Sequence, residues 1–275
     1  PADPGDSRSS LIKDASLCSL TAADINRKEG RELLLAGKNF ARSLILSDKQ
    51  KWNIIDQYNA RSIDNNISTV AAFHIEPENP NPYIFLLDGG KGQLQILKPD
   101  KDRTYRFFKS LDVGRWNTAT HLKMIYEGLT GNGDKSILLF DSEKFAVITP
   151  PGKNSSSEYL DKRFNYEVKI EGGSYGNMAI GDINSDGKAD IIMVEFRKNH
   201  IEILTPGTDQ NPVSATRFRI FEEKSYRKQE ARNRSGVEPR ELIVADVTGD
   251  GRNDLVTLIH DRLIVYPQDC ASTGN

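Results

Sequence analysis

Cysteine is almost absent from this chain. Two occur among 275 residues, Cys18 and Cys270, too few for a disulfide scaffold or a cysteine-based zinc module. Charge of one sign is also missing. Lys and Arg number 37 against 39 Asp and Glu, a formal net charge of −2, which argues against a broadly basic nucleic-acid binder. No apolar run approaches the roughly 20 residues of a membrane-spanning helix, so no transmembrane helix is expected. Helical periodicity is lacking, and no G-x-S-x-G, phosphate loop or dinucleotide fingerprint occurs. The polar start, Pro1 to Ser7, reads either as a mature terminus left by cleavage or as a trimmed chain. What is present is a 37% hydrophobic composition with 21 Gly and 12 Pro. That excludes disorder and fits two domains or one large all-β or repeat domain.

The chain repeats itself. Met178 to Val194 and Leu242 to Val256 both read as strand, acidic turn, strand. Fainter copies run from Ala22 to Leu35, Ala71 to Leu87 and Lys123 to Phe140. A second landmark follows each turn, a short apolar strand ending at a polar-Pro corner: Ile96 to Pro99, Val147 to Pro150, Ile203 to Pro206 and Val265 to Pro267, with Leu44 to Ser47 lacking the proline. Turns aligned on Asp24, His74, Gly128, Asp182 and Asp246 recur every roughly 50 to 64 residues, a propeller-blade spacing. A further alternating stretch, as at Trp52 to Ile55, Tyr105 to Phe108, Tyr166 to Ile170 and Phe218 to Phe221, supplies a fourth strand. The expectation is an all-β propeller of about five four-stranded blades, with units 15-62, 63-116, 117-172, 173-236 and 237-270. A sandwich leaves the period unexplained. The fifth unit has only three strands, so residues 9–14 are expected to complete it beside Leu263 to Tyr266, removing an exposed edge. That closure would bring Cys18 and Cys270 together as a disulfide. The alternatives are two unpaired thiols, or an open piece of a larger propeller.

The two strong turns have metal-loop spacing. Asp182, Asn184, Asp186 and Asp190 stand at positions 1, 3, 5 and 9, with Gly187 at position 6. Oxygens on alternate residues, bent by a glycine, suit a hard cation of calcium size. Lys188 would add its backbone carbonyl. The second loop offers Asp246, Thr248, Asp250 and Asp254, with the carbonyl of Arg252 and Gly251 at the bend. An EF-hand needs flanking helices and a Glu at position 12, where this chain has Met193 and Thr257. These loops and their flanking strands resemble the FG-GAP or VCBS-type calcium repeats of integrin-α-like and bacterial secreted propellers. The resemblance spans five units and is specific in the last two. It implies a propeller with calcium between the first two strands of a blade, held by Asp182, Asn184, Asp186, Lys188 and Asp190, and by Asp246, Thr248, Asp250, Arg252 and Asp254. Two structural calcium ions are expected. The other units depart from the pattern: Gly128 replaces the first acid, Lys28 follows Asp24 and Asn26, and Glu76 to Pro80 replaces a whole loop.

No acid/base constellation stands out. The histidines, His74, His121, His200 and His260, lie in separate contexts, and Gly89 to Gly92 reads as a hairpin turn. Trp52 and Trp116 read as blade packing. A basic inter-blade loop, with Lys224, Arg227, Lys228, Arg232 and Arg234, is a candidate contact for a protein or glycan partner. Sequons occur at Asn66, Asn154 and Asn233. The expected function is therefore a non-catalytic, calcium-stabilised binding or adhesion propeller rather than an enzyme. The alternatives are an accessory subunit of a larger assembly, or a polysaccharide-acting hydrolase or lyase with converging carboxylates and a His or Tyr in one pocket. Calcium loops and end-placed cysteines suggest a secreted, periplasmic or cell-surface location.

Overall fold

The computed structural model describes residues 15, 19–25, 30–47, 51–76, 79, 81–116, 121–125, 135–149, 161–167, 173–195, 197–207, 211–220, 239, 241–259 and 262–268. Every regular element among them is a strand. The first sheet holds β1 (Leu20–Ala23), β2 (Glu32–Ala36), β3 (Phe40–Leu46) and β4 (Trp52–Asn59). The second holds β5 (Thr69–Phe73), β6 (Tyr83–Asp88), β7 (Gln93–Pro99) and β8 (Tyr105–Asp112), and the third β9 (His121–Ile125), β10 (Ser136–Phe140), β11 (Lys144–Thr149) and β12 (Asp161–Glu167). The fourth holds β13 (Tyr175–Gly181), β14 (Asp190–Glu195), β15 (His200–Pro206) and β16 (Pro212–Arg219). The last has three strands, β17 (Glu241–Ala245), β18 (Asp254–Ile259) and β19 (Arg262–Tyr266). Each sheet is an antiparallel meander in chain order, and together they bear out the all-β, blade-like expectation. No helix long and apolar enough to cross a membrane occurs among the described residues, which leaves membrane β-barrels unaddressed.

The burial gradient across each sheet follows from its sequence. Second strands are continuous apolar runs: β6 reads YIFLLD and β14 reads DIIMVE, and every residue of both is buried. Strands covered on both faces need such runs, whereas one-sided strands alternate. The fourth strands β4, β8 and β16 carry the opposite signature, with most of β4 and β16 and half of β8 exposed. The third-to-fourth pairing slips by one residue at the same place in four sheets, between Ser43/Leu44, Ile96/Leu97, Val147/Ile148 and Ile203/Leu204. A bulge adds local twist and re-aims the strand just before the polar corner. The third and fourth outer strands begin earlier than the alternation at Tyr166 and Phe218 suggests.

The chain divides into two compact units, Pro1–Met124 with Leu138–Asp141, and Ile125–Ile137 with Ser142–Asn275. In the first, Ile25, Leu34, Ile67, Val70, Ile84, Leu86 and Leu97 form a core to which both of its complete sheets contribute. In the second, Ala179, Ile192, Val194, Ile201, Leu242 and Leu255 do the same for the fourth and fifth sheets. There β13 lies so close to β17 that a Cβ on Gly181 would sit 2.6 Å from Val244. Each fully buried aliphatic side chain contributes about 1.5–3 kcal/mol relative to exposure.

Candidate functional site

Position 9 of each acidic loop opens the second strand of its sheet. Asp190 Oδ2 accepts the Ile183 N–H at 3.0 Å, and Asp254 Oδ2 accepts the Val247 N–H at 2.9 Å. Glu32 Oε2 accepts the Ile25 N–H at 2.9 Å over the same seven-residue span. All three acids are buried. Glu32 is thus the first unit's position-9 acid, eight residues after Asp24, and sequence reading missed it because Gly30 and Lys28 obscure the motif. The remaining loop carboxylates fold onto their own backbone. Asp182 accepts from the Asp186 and Gly187 N–H groups, and Asp246 from those of Gly249 and Gly251. Among the described residues, no three His, Cys, Asp or Glu side chains converge as a metal cluster.

The loops differ in how their charge is met. Arg103 Nη1 reaches Asp24 Oδ1 at 3.2 Å in the first sheet's loop. Lys98 Nζ lies 3.0 Å from Glu76 Oε1 in the second. Arg252 Nη2 lies 3.3 Å from Asp250 Oδ2 in the β17–β18 loop. No such pair meets Asp182, Asp186 or Asp190 among the described residues. In the β13–β14 loop, Asp190 Oδ1 is buried without a hydrogen-bond partner. Burial pushes its carboxyl up to about 6, against the Ile183 N–H, and the charges of Asp186 and Asp182 add to the rise. Asp254 behaves oppositely. Burial opposes its charge, but N–H groups of Val247, Thr248 and Gln268 outweigh that and hold it below the usual carboxylate range. A divalent cation therefore suits the β13–β14 loop, whose charge is unmet. In the β17–β18 loop the Arg252 side chain already pairs with Asp250. Cys18, Cys270, Asn26, Lys28, Gly128, Asn154, Asn233, His260, residues 9–14 and the basic loop from Lys224 to Arg234 lie outside the described residues.

In an antiparallel meander the β5–β6 link and the β7–β8 turn fall at one end of the sheet. There the second sheet opens a cleft of about 580 Å³ lined by Glu76, Asn79, Asn81, Lys98, Asp100 and Lys101. Lys98 Nζ sits 5.5 Å from the ring centroids of Tyr83 and Phe108, a favourable placement for an ammonium. The buried Tyr83 hydroxyl makes no hydrogen bond of normal geometry, and acts electrostatically on its two charged neighbours. Burial works against the Glu76 carboxylate, but Tyr83 and Lys98 outweigh it and hold the carboxyl below its usual range. Tyr83 and Glu76 likewise hold Lys98 above its usual range against burial. Burial, then Glu76, pushes the Tyr83 phenol up to about 12. At neutral pH the cleft so presents a carboxylate and an ammonium, with the protonated Tyr83 phenol buried behind them. Asp100 is committed elsewhere, capping its turn by accepting the Asp102 and Thr104 N–H groups. Sequence reading missed this trio because Glu76, Tyr83 and Lys98 come from a loop and two strands, in no contiguous motif.

Other residues resolve plainly. The Gly89–Gly92 segment closes the β6–β7 hairpin through a Gly92 N–H to Gly89 carbonyl bond, as expected of a turn. Trp116 is buried, its indole N–H held by the Val113 carbonyl. His121 stacks on Phe140 at 5.0 Å, and burial lowers its pKa.

No family model and no curated protein sequence matches the chain. Solved structures do. A protein from Lactobacillus plantarum superposes with a TM-score of 0.50 at 9% identity, over 88% of this chain and 65% of that one. A protein from Bacteroides fragilis, described as a "putative 6-phosphogluconolactonase", superposes with a TM-score of 0.53 at 11% identity, over 91% of this chain and 65% of that one. The chain thus spans just under two thirds of each neighbour's length, and the likeness supports a propeller-like fold. It also corrects the expectation of a non-catalytic binding or adhesion module: a neighbour of this architecture is described as an enzyme. Fold alone never excluded catalysis, and a search for contiguous motifs overlooks groups assembled across strands. What the comparisons bear out is an all-β chain of blade-like antiparallel sheets similar to propeller proteins.

Proposed function

We propose that this chain is the propeller of a hydrolase acting on a carbohydrate-derived ester or lactone, with the Glu76–Lys98 cleft as its active site. The observation that carries the reading is the 3.0 Å pair between Glu76 and Lys98 beside a buried phenol in an open cleft. Glycoside cleavage calls for two available carboxylates flanking the bond, and Asp100 is already engaged. Attack of water on a carbonyl needs less: a base, a cation for the developing oxyanion and a proton donor. Glu76 takes the proton of the attacking water. Lys98 stabilises the oxyanion, and Glu76 then gives the proton it took to the leaving alkoxide, with the buried Tyr83 holding the pair in place. Asn79 and Asn81 offer amides to substrate hydroxyls.

The test is hydrolysis of a panel of sugar lactones and acylated sugars, followed by NMR. Glu76→Gln is expected to lower kcat by about 100-fold or more, the scale of a lost general base. Lys98→Met is expected to lower it by a similar factor. Wild-type turnover no faster than buffer, or full activity in Glu76→Gln, overturns the reading.

Calcium in this reading is structural, held by Asp182, Asn184, Asp186, Asp190 and the Lys188 carbonyl. The unmet charge of that loop supports this site over the β17–β18 loop. The three-stranded fifth sheet, with Leu263 and Val265 exposed on β19, supports closure by residues 9–14 and a Cys18–Cys270 disulfide. Both features agree with a secreted or periplasmic location.

A further inference from the structure

The end of the second sheet opposite the Glu76 cleft carries a different chemistry. There the β6–β7 turn, the start of the β4–β5 link and the last turn of β8 enclose a hollow of about 400 Å³. It is lined by Arg61, Ser62, Asn65, Lys91, Gln93, Gln95 and Ser110. Both charged residues in that wall are cations, and neither is in an ion pair among the described residues. The remaining lining groups are hydroxyls and amides, which satisfy the other oxygens of an anion or a sugar body.

The hollow is held rigid from beneath. Asn65 and Gln95, both buried, are bonded to each other through the Gln95 amide at 3.1 Å. Gln95 Oε1 accepts the Arg61 backbone N–H at 2.8 Å, which fixes where Arg61 leaves the chain. Its guanidinium lies over the Phe107 ring, 5.0 Å from the centroid. On the other side, buried Asp88 accepts the Lys91 N–H at 3.0 Å, together with the Asn65 amide and the Asn66 N–H. The turn is pinned again by the Val113 N–H to the Gly92 carbonyl and the Trp116 N–H to the Gly89 carbonyl. Gly92 has φ +69°, and a Cβ there would meet the Gly114 backbone at 2.6 Å, so this packing requires glycine. The nearby acids are spent: Asp88 on these donors, and Asp112 on the Gly114 N–H at 3.0 Å. The Asn65 and Gln95 amides and the Asp88 carboxylate thus fix the backbone from which both cations rise into one hollow, a preorganisation that lowers the entropic cost of binding.

We propose that this hollow is a binding site for a phosphate or sulfate ester of a small hydroxylated molecule. Arg61 and Lys91 hold the oxyanion, and Ser62, Ser110 and Gln93 contact the hydroxylated body. Arg61 suits a forked contact to two oxygens of a tetrahedral anion, and Lys91 a point contact to a third. The site is distinct from the Glu76 cleft and stands whether or not that cleft is catalytic.

The test is calorimetric titration of the whole chain with glucose 6-phosphate, glucose 6-sulfate, inorganic phosphate and glucose. Both esters are expected to bind, inorganic phosphate more weakly and glucose undetectably, with affinity falling as salt rises. Arg61→Met and Lys91→Met are each expected to weaken ester binding about tenfold or more. Both positions are exposed, so unchanged thermal unfolding certifies that the variants fold. Glu76→Gln should bind as the parent does, which separates this site from the hydrolase reading. Affinity unchanged in both cation variants, equal binding of glucose, or no ester binding at tens of millimolar overturns the proposal.

Discussion

Asp190 is a buried carboxylate facing two others, and its charge is the unsettled quantity in its loop. Its folded pKa, about 6, lies above the ordinary carboxylate value, so the folded state keeps a proton that the unfolded state has already lost. Without a divalent ion, stability should fall as pH rises through that window, from about 4 to 6. A divalent ion held there would remove the repulsion and favour the deprotonated form. Millimolar calcium should therefore raise the thermal midpoint more at pH 7.5 than at pH 5, as read by scanning calorimetry. Asp190→Asn should abolish that response, whereas Asp250→Asn in the β17–β18 loop should leave it intact. At Gly92 the conflict is steric. Gly92→Ala puts a side chain at positive φ against the Gly114 backbone. It should cost on the order of 1–3 kcal/mol in denaturant unfolding.

At the scale of elements, the buried second strands carry stability, while the fourth strands β4, β8 and β16 meet solvent. Phe85, in the centre of β6, is fully buried and packs on Phe73 with centroids 5.5 Å apart. Phe85→Ala should cost about 3–5 kcal/mol, while Phe108→Ala on exposed β8 should cost far less, both read by chemical denaturation. Strand order was legible because apolar runs, acidic turns and polar-Pro corners kept step along the chain. Outer-strand limits were less so. The bulges that shift register before each corner leave no mark in the alternation, and exposed strands need no strict pattern. The last sheet's edge strand, β19, makes a separate prediction. If residues 9–14 pair with it, non-reducing peptide mapping should recover a Cys18–Cys270 cross-link. Two alkylatable thiols in the protein purified without reductant would overturn that closure.

At the scale of the whole molecule, acidic loops recur but most carry their own counter-charge. Arg103, Lys98 and Arg252 meet three of the four loops described. Removal of divalent ions should consequently lower the thermal midpoint without erasing the β-sheet signal in circular dichroism. Loss of that signal on chelation would show that metals, not side-chain cations, hold the loops. The sequence by itself determined the class of the fold, the order of its strands and the acidic turns between them. Those depend on local periodicity and on residue types spaced a few positions apart. Only the tertiary structure decided which charges meet. Asp24 finds its cation 79 residues away, Glu76 finds Lys98 across 22, and Arg61 and Lys91 come to one hollow from separate turns. Such pairings arise from strand register and sheet packing, which no linear spacing encodes. For the same reason the chain reads first as a metal-stapled binding module, and only its folded form brings Glu76 and Lys98 together in one cleft.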